Sequence, residues 1–566
     1  MSSAILTQCA RDLVQKVSTE MKLEYGMSSM APSIYDTAWL AMIEKNTDQG
    51  PQWLFPGCFE YLIEHQNEEG GWDPLEQATR TVKYPANVWL PDCIIHSLAA
   101  SLALCWHIRR AMPKGGDVPS DSLARLLRAK KFLDSKLHVW QLDGTTHFGY
   151  ELLVPVLLRL LRDEGMTFEF PAKEALMEKY QKASDIDISW LYSSPCKIPL
   201  FCLEGFLEKL DFSRLQHLVT SAGIVASPAS AASYLIYSPL WSDQCEAYLR
   251  HVVSHGQGKG NGAVGGVFPM EIFEPSWVLT ALLENGFTVE SLGREQVNDM
   301  VQMIHRNLEN GVTGATVEFL PDADDTSRAL TALNLHGYQI SPAAMVEKFE
   351  VDQCFETFDA RMPNRVKSVS VNGNVLNSLL HAPDPSAFTS QIEKIAKFMC
   401  GRWNTDRKFE DHWNLSEYYG LMHMAQSLVP LLVLWDQGGL PSLPEDLVQS
   451  VIPSCLQEAM VRILQQQNLD GSWGDIHSRE ETAYSIIALA NLGSHAAVGD
   501  DFSRVELAIA RGKQFLLENW QLGDKPDRIW TGKILHGISY VQDAYVVAAL
   551  KVSRVNLAGK RGLCPN

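Results

Sequence analysis

Three carboxylates fall within four residues at Asp322-Ala323-Asp324-Asp325-Thr326. In water such a run is a solvated helix start, where acidic side chains meet the positive end of the helix dipole. In a closed apolar cavity three neighbouring carboxyls cannot all ionise cheaply, and one keeps its proton. A retained carboxylic proton beside two carboxylates is what a Brønsted acid needs to protonate something as weakly basic as a carbon–carbon double bond. If Asp322 opens a helix, Asp325 lies three residues on and shares its face. Asp324 is then turned by about 100° from Asp325. One carboxyl points at a substrate while the others stand behind it.

The elements that must hold this run read as helices. Residues 152–161 are apolar almost all round, which predicts a helix buried on several sides. Residues 276–286 open on Ser276 as a cap and close on Gly286. Residues 322–337 repeat that grammar, with apolar Ala329, Leu330, Ala332, Leu333 and Leu335 before His336-Gly337. Residues 425–435 and 538–551 carry helical apolar spacing as well. Val366 to Val371 is the best strand candidate, and no strand–helix–strand alternation appears. The expectation is an all-α chain. Asp322-x-Asp324-x-Thr326 also fits the D-x-D-x-T opening of a haloacid-dehalogenase-like phosphatase, after a short strand at 317–320. That fold needs a parallel sheet, which the pattern does not offer.

Two stretches resemble each other. Gln66-Asn67-Glu68-Glu69-Gly70-Gly71-Trp72 matches Gln467-Asn468-Leu469-Asp470-Gly471-Ser472-Trp473, which predicts two related helical domains. Residues 252–266 are dense in glycine and read as a mobile loop near a cavity mouth. Their Gly-x-Gly-x-Gly lacks the preceding strand and the Gly-Lys-Ser/Thr of a phosphate loop.

The 566 residues suggest about two to four domains, and 46% of them are apolar. A net charge of −19 argues against nucleic-acid partners. Eleven cysteines, an odd number without a C-x-x-C pair, fit a reducing compartment. The first 21 residues lack a secretory h-region, and no apolar stretch of membrane-spanning length stands out, so a cytoplasmic protein is expected.

Six passages together resemble the class II terpene cyclases of the labdane-forming type, most of all their fungal branch. They are Ser33-Ile34-Tyr35-Asp36-Thr37-Ala38-Trp39, Cys202-Leu203-Glu204-Gly205, Val267-Phe268-Pro269-Met270-Glu271-Ile272-Phe273-Glu274, the acidic run itself, the two Gln…Gly-x-Trp stretches, and Trp530-Thr531-Gly532-Lys533. The resemblance implies two α-barrel domains with the cavity at their interface. A β domain would take residues 1–50 and 276–566, with a γ domain inserted at 51–275. It implies that Asp324 is the proton donor, supported by Asp322 and Asp325, with Ser327 standing where alanine is usual. Asn374 or Asn377 would orient the acid, with Asn374 placed beside the triad and a turn or helix cap as the other reading of either. Aromatic faces stabilise a migrating cation without capturing it. Trp277, Phe273, Trp413, Tyr418 and Tyr419 are the candidates, with plain core packing as the other reading of each.

The diphosphate must survive such a reaction. The region Asp143 to Glu151 keeps glycine-aromatic-glutamate but not the full acidic set of plant relatives, which leaves Glu151 as the candidate Mg²⁺ ligand. Lys533 is either a diphosphate contact or a solvated surface lysine. No Asp-Asp-x-x-Asp occurs; Asp500-Asp501-Phe502-Ser503-Arg504 lacks the last acid, so ionisation of a diphosphate through Mg²⁺ is not expected. The implied substrate is geranylgeranyl diphosphate and the implied product a copalyl-type diphosphate. Farnesyl diphosphate, giving a drimenyl-type product, is the alternative. A homo-oligomer, or a fused or partner α domain, is also implied. Gly559-Lys560-Arg561-Gly562 has the look of a linker.

Overall fold

Polar caps fix the helix starts. Ser33, Ser227, Ser368, Ser416 and Ser478 each accept a backbone N–H from two or three residues on, satisfying a donor the helix cannot. Asp322 does the same for the helix Ala323–Leu335, its Oδ1 accepting from Asp325 N at 2.8 Å. The computed structural model describes residues 2–73, 86–111, 121–185, 187–192, 199–359, 367–499, 502–519 and 525–554. The segments around 500–501 and 559–562 and the residue Val366 lie outside these.

The chain forms two compact units. The first holds Met1–Leu23, Met270–Ile529 and Ile538–Asn566; the second holds Glu24–Pro269 and Trp530–Gly537. The domain boundaries expected at 50 and 275 therefore fall at 23 and 269, and 530–537 joins the second unit. The reason is packing: the helix Ile34–Ala41 lies against Ala86–Ala111 and Pro228–Tyr237, and Ser33 bridges to Val264.

In the first unit six helices close a ring. Phe273–Glu284, Ala323–Leu335, Val369–Leu380, Glu417–Asp436, Arg479–Leu492 and Ser539–Lys551 each pack on the next, and the last packs on the first. These inner helices are buried on nearly every face. Outer helices bury only a stripe: Arg294–Arg306 buries Val297, Met300, Val301 and Ile304, the spacing of a one-sided helix. The second unit closes a smaller ring from Ile34–Ala41, Ala86–Ala111, Tyr150–Asp163, the 3₁₀ segment Pro199–Phe206 and Pro228–Tyr237. Both are α-barrels.

The two Gln…Trp stretches do the same work, one in each unit. Gln66 Nε2 donates to Gly70 O at 2.8 Å and Arg125 O at 3.0 Å, and Trp72 Nε1 to Leu62 O at 2.7 Å. Gln467 Nε2 donates to Gly471 O and Ala508 O at 2.9 Å, and Trp473 Nε1 to Ile463 O at 2.8 Å. Each turn thus ties the end of one outer helix to the next. Gly70 (φ 98°) and Gly471 (φ 93°) are required there: a Cβ would stand 2.6 Å from the backbone of Arg128 and Arg511 respectively.

Three expectations are corrected. Where a strand was expected, the described residues from Ser368 on open the helix Val369–Leu380, because Ser368 caps it and a few β-branched residues do not outweigh a cap and a buried site. The helix expected from Ser276 begins at Phe273, since Ile272 N and Phe273 N already bond Ala315 O at 3.3 and 3.0 Å. The glycine-rich stretch packs closely: Val264 N bonds Thr37 Oγ1 at 3.1 Å, and a Cβ on Gly262 would stand 2.1 Å from Gly57 O. One helix, Ala86–Ala111, is long and apolar enough to cross a membrane by composition, but 94% of that window is buried inside the second unit's ring. Asp92, His96, Ser97 and Ser101 interrupt it in sequence and are all buried polar groups of the ring.

Among the described residues the strands are two short antiparallel pairs, Glu44–Thr47 with Gly50–Trp53 and Trp530–Thr531 with Leu535–His536.

Candidate active site

The acidic run caps the inner helix Ala323–Leu335 in the first unit. Asp322 and Asp325 are buried, and Asp324 alone of the three is only partly covered. Burial pushes the Asp322 carboxyl up to about 6, against the hydrogen bonds from Asp325 that favour its charge. Burial and the neighbouring Asp322 push Asp325 well above the usual range, and its proton bridges to Asp322. The pair therefore shares one proton and one negative charge near neutral pH.

Asp324 stands apart from that pair. Burial pushes it up to about 7, with the nearby charges of Asp322 and Asp411 in the same direction. Asn374 Nδ2 donates to its Oδ1 at 2.6 Å, so the proton belongs on Oδ2. The amide bond strengthens as the carboxylate forms, which favours release of that proton. Asn377, one turn further along the same helix, points elsewhere and donates to Glu284. Thr326 Oγ1 bonds both Thr313 N and Thr313 O at 2.9 Å, pinning the first turn to the preceding loop. Ser327 Oγ adds a bond to Asp324 O at 2.9 Å.

Three of the expected aromatics gather together, and Tyr419 among them feels the charge of Asp324. Phe273 stacks on Trp277 with centroids 4.0 Å apart, and Trp277 Nε1 donates to Tyr419 Oη at 3.3 Å. Tyr419 continues to Tyr484 at 5.1 Å and Tyr484 to Tyr545 at 4.9 Å. Tyr418 is not part of this wall. It is one residue, and so about 100°, round the helix from Tyr419, and its hydroxyl lies among Glu417, Glu481, Arg462 and Asp475. Trp413 packs on Phe358 at 6.1 Å and follows Asp411, whose Oδ2 accepts from Ser368 Oγ at 2.7 Å and Ser370 N at 3.2 Å.

Sequence reasoning missed Asp411 and Arg328. Arg328 carried a signal, being the only charge after the acidic turn in an otherwise apolar helix, four residues from Asp324. Asp411 carried none.

Lys533 is not a solvated surface lysine. The side chain is buried in the second unit, where Nζ donates to Glu204 Oε1 at 2.7 Å and Ser227 Oγ at 2.8 Å. Glu204 also accepts from Tyr35 Oη at 2.8 Å and Ser230 Oγ at 2.9 Å. Burial opposes the ammonium charge, yet Glu204 holds its pKa above the usual lysine range. Three motifs that looked separate in sequence thus meet in one buried cluster. The neighbouring Asp36 carboxyl, buried without a close ion pair, is pushed up to about 6.

Glu151 sits on the first turn of Tyr150–Asp163, half-buried, with its carboxyl raised by burial and opposed by Lys179. Among the described residues no group of three or more His, Cys, Asp or Glu side chains is set to hold a metal ion. Glu151 by itself does not make a Mg²⁺ site.

Two rings of helices, with a buried acidic cap on one of them, define the fold as that of the class II terpene cyclases. It is similar to the ent-copalyl diphosphate synthase of Streptomyces platensis, with a TM-score of 0.75, 22% identity, and 98% of this chain and 100% of that one covered. The ent-copalyl diphosphate synthase of Arabidopsis thaliana, solved with (S)-15-aza-14,15-dihydrogeranylgeranyl thiolodiphosphate, gives a TM-score of 0.59 at 20% identity over 95% of this chain and 63% of that one. No family model matches the chain. In sequence it is 36% identical to the pimaradiene synthase of Emericella nidulans, over 96% of this chain and 55% of that protein. It is 35% identical to the copalyl diphosphate synthase of Talaromyces verruculosus (97% and 56%), and 34% to the bifunctional ent-kaurene synthase of Gibberella fujikuroi (96% and 56%). Its sequence relatives are thus fungal diterpene cyclases, and its fold is that of the copalyl diphosphate synthases. It spans about half the length of the curated relatives it matches.

Proposed function

We propose that this chain cyclises geranylgeranyl diphosphate to a copalyl-type diphosphate, by protonation of the terminal alkene with the diphosphate retained. The observation that carries this reading is the state of Asp324. It is a carboxyl pushed up to about 7, bonded by Asn374 on one oxygen and separate from the proton-sharing Asp322–Asp325 pair. Such a group keeps its proton until a substrate excludes water, then gives it up to a π bond. The alkene electrons take the proton from Oδ2 and leave a tertiary cation, which the next two double bonds attack in turn to close two rings. The single negative charge on the Asp322–Asp325 pair and the faces of the Phe273–Trp277–Tyr419 wall favour positive charge nearby. Loss of a proton to a held water ends the sequence.

The similarity to copalyl diphosphate synthases supports the C20 substrate; farnesyl diphosphate is the competitor to test beside it. The shared half of longer relatives favours a second possibility, that the same chemistry is one half of a bifunctional enzyme. Incubation with each diphosphate, dephosphorylation and chiral gas chromatography tests the reading. A bicyclic C20 alcohol supports it, and recovery of geranylgeraniol and farnesol alone overturns it.

A further inference from the structure

Arg328 is a fully buried guanidinium, 2% exposed, one helical turn beyond Asp324 and on the same face of its helix. Nη1 donates to Thr280 Oγ1 and Nη2 to Tyr545 Oη, both at 2.9 Å, and the charged carbon lies 5.2 Å from the Trp277 ring. Nε has no partner. No carboxylate among the described residues stands within ion-pair distance of it. Arginine does not lose its charge in proteins, and a buried charge without a contact partner is costly to keep. Two neutral hydroxyls and a ring hold this one in a fixed place. The carboxylates that act on it, Glu284 and Asp324, do so from beyond contact.

We propose, on the reading of Asp324 as the proton donor, that Arg328 is a positioning residue for catalysis: its fixed charge stabilises the carboxylate that Asp324 becomes on giving up its proton. An acid that must protonate an alkene gains from this, because the charge favours the product side of the proton transfer. The other groups that face Asp324 pull differently. Asp322 on its own helix and Asp411 from the 411 loop oppose its ionisation, and Asn374 favours it. Asp325, Tyr419 and Tyr545 all feel its charge, and His423 and Glu284 act with Arg328. Arg328 is the one permanent cation in this set. Trp277, taken up by Arg328 and Phe273, then serves as the seat of the guanidinium as much as a wall for the substrate.

The test compares Arg328→Gln and Arg328→Lys with the parent enzyme, with the double variant Thr280→Val/Tyr545→Phe, which keeps the charge but frees it. Two readouts are taken: the pH profile of kcat on geranylgeranyl diphosphate, and infrared titration of the Asp324 carboxyl, assigned by its loss in Asp324→Asn. Expected for Arg328→Gln is a fall in kcat of about tenfold or more with KM little changed, and an Asp324 titration moved up by about one pH unit, a tenfold change in its equilibrium. Arg328→Lys should keep most of both, and the double variant should shift the same way by less. An Arg328→Gln enzyme whose titration stays in place, or a loss expressed only in KM or melting temperature, overturns the proposal. If Arg328→Gln does not fold, an unmoved titration in the double variant overturns it instead. Bicyclic product from Asp324→Asn would refute the proton-donor reading itself, separately from the role of Arg328.

Discussion

Replacing Lys533 with methionine separates a structural role from a substrate contact. The substitution keeps the bulk of the side chain and deletes its ammonium. Glu204 then keeps Tyr35 and Ser230 as donors at 2.8 and 2.9 Å but loses its one ion-pair partner among the described residues, in a site where it is 1% exposed. Removing one member of a buried ion pair costs about 3–5 kcal/mol, because the remaining charge stays buried. For a unit of this size that is a drop of about 6–20 °C in melting temperature. Differential scanning calorimetry reads this directly, and the drop should hardly change with added salt, since a buried pair is poorly screened. Adding Glu204→Gln removes the stranded charge, leaves a carbonyl oxygen to accept from Tyr35 and places an amide N–H against the Ser230 hydroxyl oxygen, so the double variant should recover most of the loss. A Lys533→Met protein that melts within about 1 °C of the parent, but needs far more diphosphate substrate for half-maximal rate, would refute the structural assignment.

Asn374→Ala removes a charge-assisted bond to Asp324, which makes the carboxylate harder to form. A loss of about 1.5–3 kcal/mol predicts kcat lower by about 10- to 150-fold, read by steady-state kinetics, with little change in KM. Turnover requires protonated Asp324, so kcat should fall as pH rises through about 7, the value its burial sets; a rate that climbs steadily to pH 9 would contradict this. Asp324→Asn should raise the melting temperature at pH 8 and not at pH 4. The folded carboxyl binds its proton above the pH at which the unfolded one releases it, so stability is lost as pH rises between the unfolded value and about 7, and the amide removes that loss. Gly471→Ala should destabilise the first unit without a direct effect on kcat, since a Cβ at φ 93° would stand 2.6 Å from Arg511 O; thermal melts of the variant check it.

The fold class was legible because its signals are local. Serine and aspartate caps, all-round apolar helices and the paired Gln…Trp turns need only a short window, and Gln66 and Gln467 make the same bonds in the structure. The acidic run was legible for the same reason, since its three carboxyls share one helical turn. What depended on distant contacts was not. Asp411 reaches the acid from 87 residues away, and nothing in its neighbours marks it. The choice between Asn374 and Asn377 turned on which of two buried carboxylates each one meets, Asp324 or Glu284. Lys533 looked like a surface or ligand group because a lysine is almost never fully buried unless paired, and its partner Glu204 is 329 residues away. The apparent strand near Val369 was too short for its alternation to be told from a capped helix.

The most direct measurement is product formation from geranylgeranyl diphosphate by the parent enzyme and by Asp324→Asn, at matched concentration and after verified folding. The products are dephosphorylated and separated by gas chromatography with mass detection. The account predicts a bicyclic C20 alcohol from the parent and only geranylgeraniol from the variant. Bicyclic product from Asp324→Asn at a rate near the parent's would contradict it.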